Sequence, residues 1–211
     1  IAKNYITPDK IMGIYLVGSY AREDENNDSD IDILIISSDA DEEMIHEGIY
    51  NVLILSEGLL KWKLEHDLLP IGAMLKEDKP LINSSYLNTI KVRVTKKNTK
   101  WYMDTTEKKL QLIEKILGSS HGKVYDNVSY TLILRIRTLH IIQKLIKNQI
   151  YTKKELIKLI AKISGSNNAY KSYLRIKNNK EGNYKTTKEE AEKLSIYLRN
   201  LLDDIRGLLD I

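Results

Sequence analysis

The sequence predicts a mixed α/β (α+β) chain, strand-rich at first and a helical bundle afterwards. Three observations carry this. Short β-branched and aromatic runs crowd the first 56 residues, and long segments with apolar residues at three- and four-residue spacing fill the chain after about residue 95. The charge divides near the same place. Residues 1–90 hold 7 Lys/Arg against 17 Asp/Glu, a net of −10, and residues 91–211 hold 26 against 12, a net of +14. Such a split suits an acidic module joined to a basic one. The basic half is either a surface for an anionic partner such as RNA or a set of helices with solvated faces, on even terms.

The elements follow in chain order. Residues 11–17, IMGIYLV, read as a buried strand ended by Gly18. Residues 30–36, DIDILII, read as a second, with Asp30 and Asp32 on one face and Ile31, Ile33 and Ile35 on the other, because strand side chains alternate. Residues 49–55, IYNVLIL, read as a third. LLKWKLEHDLL and IGAMLKED read as helices with Pro70 between them. Beyond residue 95, EKKLQLIEKIL, YTLILRIRTLHIIQKLIKN, KKELIKLIAKIS and KEEAEKLSIYLRNLLDDIRGLLD are amphipathic helices. Thr152 and Thr187 each precede an acid by three residues, the pattern of a capping box. GSSHGK, KNQ, SGSNN and NNKEGN mark the turns.

The chain is long enough for one large or two small domains. It contains no cysteine, which excludes disulfides and thiolate metal sites and points to a reducing compartment. No apolar run approaches the roughly 20 residues that span a bilayer, and the first ten residues lack the pattern of a signal peptide. A cytoplasmic protein is expected.

The Asp30/Asp32 pair is where chemistry enters. On a strand, positions i and i+2 lie roughly 6.5–7 Å apart and point the same way. Two ionised carboxylates so placed repel, and a divalent cation between them removes the penalty. Hard oxygen ligands of this kind suit Mg²⁺, which commonly takes one or two carboxylates together with substrate phosphates. Gly18 lets backbone N–H groups approach an anion closely, and Ser19 adds a hydroxyl donor. A strand, a phosphate-binding turn and a metal-binding strand make a site for nucleoside triphosphate chemistry.

Gly18-Ser19, ten intervening residues and Asp30-Ile31-Asp32 resemble the G-S-x10-D-x-D signature of the polymerase-β-like nucleotidyltransferases. GSYAR and SDIDILI look most like their small prokaryotic branch, the minimal and antibiotic nucleotidyltransferases. The resemblance is specific over residues 14–36 and weaker to about residue 83, while the helical half is loosely similar to C-terminal regions of uncharacterised members. It implies an N-terminal nucleotidyltransferase fold with a small mixed sheet over residues 1–95, followed by a basic helical domain over 96–211. It further implies that Asp30 and Asp32 are catalytic and hold Mg²⁺, two ions in all, and that Gly18 and Ser19 cradle the β- and γ-phosphates. The same resemblance implies that an NTP is the substrate and that its nucleoside monophosphate passes to an acceptor with release of pyrophosphate. The acceptor is an RNA end, a protein side chain or a small-molecule hydroxyl.

The family's third carboxylate, on a later strand, is missing from this pattern. Asn51 stands in that place, and an asparagine cannot accept a proton. Glu57, Glu65 and Asp67 are the nearby acids that offer a substitute. The alternative is a catalytically impaired nucleotide-binding module, or one partner of a toxin–antitoxin pair.

Other candidates are weaker. Arg22 is either a phosphate contact or a solvated helix-end arginine, on even terms. EDENND reads as a solvated acidic loop. GSSHGK is not a P-loop, since three residues rather than four separate its glycines and no Ser or Thr follows Lys123. His46, His66, His121 and His140 lack zinc-like spacing. Arg135, Arg137, Tyr170, Tyr173 and Arg175 fit helix packing and a charged face better than nucleotide contact.

Overall fold

The computed structural model describes residues 4–27, 29–180, 182 and 185–210. The chain is mixed α/β, with an open five-stranded sheet near the N-terminus and a helical C-terminal part. It divides into two compact units, residues 1–99 with 145–152, and residues 100–144 with 153–211.

The first unit is built on β1 (Ile11–Val17), β2 (Ile31–Ser37), β3 (Glu42–Glu47), β4 (Tyr50–Ser56) and β5 (Lys79–Ile82), in the order β3-β4-β2-β1-β5. β2 and β4 are parallel, and the other neighbours are antiparallel. The alternation expected from sequence sorts the strand side chains onto two faces. Tyr15, Val17, Leu34, Ile36 and Leu55 pack on one face against Leu60 of α2 (Glu57–His66) and Ile71 of α3 (Ile71–Glu77). Ile35, Val52 and Ile54 pack on the other with Ile6. Asp32 shares the helix-covered face with Leu34 and Ile36, since all three stand at even steps along β2.

Two edge strands, β3 and β5, had no clear sequence signal. β3 reads EEMIHE, without apolar alternation, and β5 is a four-residue edge strand, exposed throughout, that includes Pro80. The second strand begins at Ile31 rather than Asp30, so Asp30 lies one residue outside it.

The helical part comprises α5 (Lys96–Ser119), α6 (Asp126–Ile146), α7 (Lys153–Ser164), α8 (Asn168–Lys177) and α9 (Lys188–Leu208); α1 (Gly18–Arg22) and α4 (Ser84–Leu87) are short helices of the first unit. α5 starts well before the periodic segment EKKLQLIEKIL. Its start is fixed by a reciprocal pair in which Asn98 N–H donates to Thr95 Oγ1 at 3.2 Å and Thr95 N–H donates to Asn98 Oδ1 at 2.9 Å. The capping box at Thr187 and Glu190 is present at the start of α9. Leu110, Leu132, Ile136, Ile160, Leu194 and Leu198 are fully buried members of the helical core. The turn expected at 178–183 falls partly outside the described residues, as does Asp28 of the acidic run.

Arg175, Tyr173 and Arg135 take part in packing within the helical half. Arg175 makes a bidentate pair with Asp126 at 2.9 Å, Tyr173 stacks on Tyr130, and Arg135 donates to Thr105 at 3.1 Å.

Candidate active site

β1 ends at Val17, and Gly18 turns the chain into α1 with φ +72°, a conformation that favours glycine. The turn lies against Asp32, because a methyl group added at Gly18 would land on the Asp32 carboxylate. Ser19 follows within α1, whose C-terminal residue is Arg22.

A row of paired positions crosses the sheet here. Val17 is opposite Asp32, Asp32 opposite Asn51, and Asn51 opposite His46. The side chains of the last three are joined in sequence. Asn51 Nδ2 donates to Asp32 Oδ1 at 3.0 Å, and Asn51 Oδ1 lies 2.6 Å from His46 Nδ1. Asp32 is half-buried, and Asp30, one residue before β2, is exposed.

A second carboxylate meets the glycine turn from the far side. Glu77, the last residue of α3 and 7% exposed, accepts the Gly18 N–H at 2.9 Å and Arg22 Nη1 at 2.7 Å. Arg22 also pairs with the buried Asp24 at 3.2 Å and lies over the Tyr151 ring at 5.7 Å from its centre. Burial pushes the Glu77 carboxyl above its ordinary range, against the opposing pull of Arg22 and the Gly18 N–H. Arg22 is therefore not a solvated helix-end arginine.

Of the sequence candidates, Gly18 and Asp32 are in direct apposition, with Ser19 adjoining the glycine, Asp30 at the open start of β2, and Arg22 tied to the turn through Glu77. Asn51 stands beside Asp32, at the position where the resemblance calls for a third acid. The three candidate substitutes pair elsewhere: Glu57 with Lys61 and Tyr86, Glu65 with Lys97, and Asp67 with Lys63. Glu57 follows the far end of β4, six residues or about 20 Å of extended chain from Asn51.

Glu77 and His46 were not singled out from the sequence as site residues. Glu77 reaches the turn across 59 positions at the end of a short helix, with no motif around it. His46 sits on the charged edge strand, and only its register against Asn51 reveals its place.

Asp30 and Asp32 offer hard oxygen donors, and no group of three or more His, Asp or Glu among the described residues is placed to hold a metal ion. This donor set fits a Mg²⁺ whose remaining ligands come from water and substrate phosphates rather than from a protein cage. Among the described residues no helix is long and apolar enough to cross a membrane.

A family model described as a nucleotidyltransferase domain matches residues 7–196. Among solved structures, the chain is similar to a nucleotidyltransferase-like protein from Exiguobacterium sibiricum 255-15, at 14% identity and a TM-score of 0.44, covering 93% of this chain and 70% of that one. It is also similar to spectinomycin adenyltransferase AAD(9) from Enterococcus faecialis, whose structure contains ATP and spectinomycin, at 13% identity and a TM-score of 0.49, covering 96% of each chain. No curated protein matches the chain.

Proposed function

Because the chain belongs to the nucleotidyltransferase domain family, a family of enzymes that transfer a nucleoside monophosphate, we propose a Mg²⁺-dependent transfer from an NTP to an acceptor, with release of pyrophosphate. The observation that carries the assignment to particular residues is the seating of the Asp32 carboxylate against the positive-φ turn at Gly18.

Each residue then has a task. The Gly18 N–H stays on the Glu77 carboxylate, which holds the turn in shape, and in the complex the turn at Gly18 and the Ser19 hydroxyl cradle the β- and γ-phosphates. Arg22, one turn of α1 further on, is assigned to the same phosphates, with its charge shared with Glu77 and Asp24. Asp30 and Asp32 hold Mg²⁺, in our reading two ions, whose chemistry when bound is neutralisation of charge on the triphosphate oxygens. The acceptor oxygen attacks the α-phosphorus and pyrophosphate leaves. The chain's own contribution is to hold the phosphates and the acceptor in position.

We assign this chemistry to residues 1–95 and acceptor binding to the basic domain, residues 96–211. The +14 charge of residues 91–211 favours an RNA end over a protein side chain or a small-molecule hydroxyl. The absence of cysteine supports a cytoplasmic setting.

Pyrophosphate release with Mg²⁺, each NTP in turn and a cell extract as the source of acceptors tests the reading. Wild type releases pyrophosphate, and Asp30→Asn and Asp32→Asn each lower the rate at least 100-fold. Asn51 beside Asp32 favours a second reading, a nucleotide-binding module without turnover. NTP binding with no release from any extract would select it.

A further inference from the structure

We propose that His46 is the general base of the transfer, taking the acceptor's hydroxyl proton at Nε2. The inference rests on the nucleotidyltransferase reading above and adds a residue to it.

Attack by a hydroxyl oxygen on the α-phosphorus releases a proton, and a positioned base accelerates the step. Asp30 and Asp32 are assigned to the metal. Asn51, beside Asp32, has no basic lone pair. Glu77 is buried, with its two oxygens held by the Gly18 N–H and by Arg22. His46 is the remaining proton acceptor hydrogen-bonded into the Asp32 row among the described residues, and it is exposed.

The hydrogen bonds set the histidine's tautomer. Asn51 donates through Nδ2 to Asp32 Oδ1, which turns its own Oδ1 toward His46. A carboxamide oxygen only accepts, so the proton of the neutral ring is on Nδ1 and the lone pair is on Nε2. Asp32 thus orients Asn51, and Asn51 orients the imidazole. The Nδ1–H bond to Asn51 is present in the neutral and in the charged ring, so proton uptake requires no rearrangement.

The step balances. The acceptor O–H bond breaks and its proton moves to Nε2, while a bond forms between the acceptor oxygen and the α-phosphorus. The bond from the α-phosphorus to the oxygen bridging to the β-phosphate breaks, and pyrophosphate leaves with the electron pair. The imidazolium then returns its proton to water.

The test measures transfer of label from α-³²P-labelled NTPs, with Mg²⁺, to acceptors in a cell extract. It compares wild type, His46→Gln and the double variant His46→Gln/Asn51→Glu, and measures MgNTP affinity in parallel by equilibrium dialysis. Glutamine keeps a donor for Asn51 Oδ1 and lacks the basic nitrogen. His46→Gln is expected to lower the transfer rate about 100-fold or more with MgNTP affinity within about twofold of wild type. The double variant, which supplies a carboxylate beside Asp32, is expected to recover at least tenfold of that loss. Transfer by His46→Gln at the wild-type rate would overturn the role of His46 while leaving the nucleotidyltransferase reading intact. A parallel loss of MgNTP affinity would make His46 structural and overturn it as well. Wild type that labels nothing with any NTP would remove both readings together.

Discussion

Gly18 shows how closely the residue and the site are tied. Its φ of +72° suits glycine, and the space where a Cβ would stand belongs to the Asp32 carboxylate. Gly18→Ala therefore meets two penalties, backbone strain and displacement of Asp32. It is expected to cost about 1–3 kcal/mol of stability, a fall of several degrees in Tm by calorimetry, and to abolish MgNTP binding by titration. An alanine variant with unchanged Tm and affinity would refute the apposition. The same residues mark what the sequence could and could not disclose. Gly18, Ser19, Asp30 and Asp32 are close in the chain, so their spacing and its likeness to the G-S-x10-D-x-D signature mark them. Glu77 and His46 come to the site through tertiary packing and strand register, and neither leaves a local pattern to read.

At the scale of elements, short β-branched runs mark the three central strands, which pack on both faces, and the 3.6-residue period marks the helices. Both signals are missing at the sheet edges and at the start of α5. β3 and β5 are short edge strands, and the start of α5 is polar on all sides and is fixed by the Thr95/Asn98 pair instead. α5 and α9 are clamped by charge. Glu107 on α5 accepts from Arg199 at 2.7 and 2.8 Å and from Arg206 at 2.9 Å, both on α9. The hydrogen bond from Arg199 is the main reason its carboxyl titrates below the ordinary range, and burial opposes the shift. A depressed folded pKa gives stability that is present above the unfolded carboxylate pKa and lost as pH falls through the folded one. Glu107→Gln is therefore expected to cost about 1 kcal/mol at pH 7, discounted for the side chain's partial exposure, and progressively less below about pH 4.5. Urea unfolding at pH 7 and pH 3.5 checks this; a cost that does not shrink in acid would contradict it.

For the whole molecule, the division of charge and the change from strands to helices were both visible in composition, because they are sums over many residues. The sheet order β3-β4-β2-β1-β5 was not, since it depends on which strand edges pair. That order sets Asp32 between the glycine turn on β1's side and Asn51 on β4, and so decides what the D-x-D signature can do. The most direct test of the Gly18–Asp32 site is a crystal structure of the full chain with Mg²⁺ and an ATP analogue carrying a methylene group between the α- and β-phosphates. Metal density between Asp30 and Asp32, with the β- and γ-phosphates on Gly18 and Ser19, is the expected result. A triphosphate bound elsewhere, or one whose phosphates leave the two aspartates without metal, would contradict it.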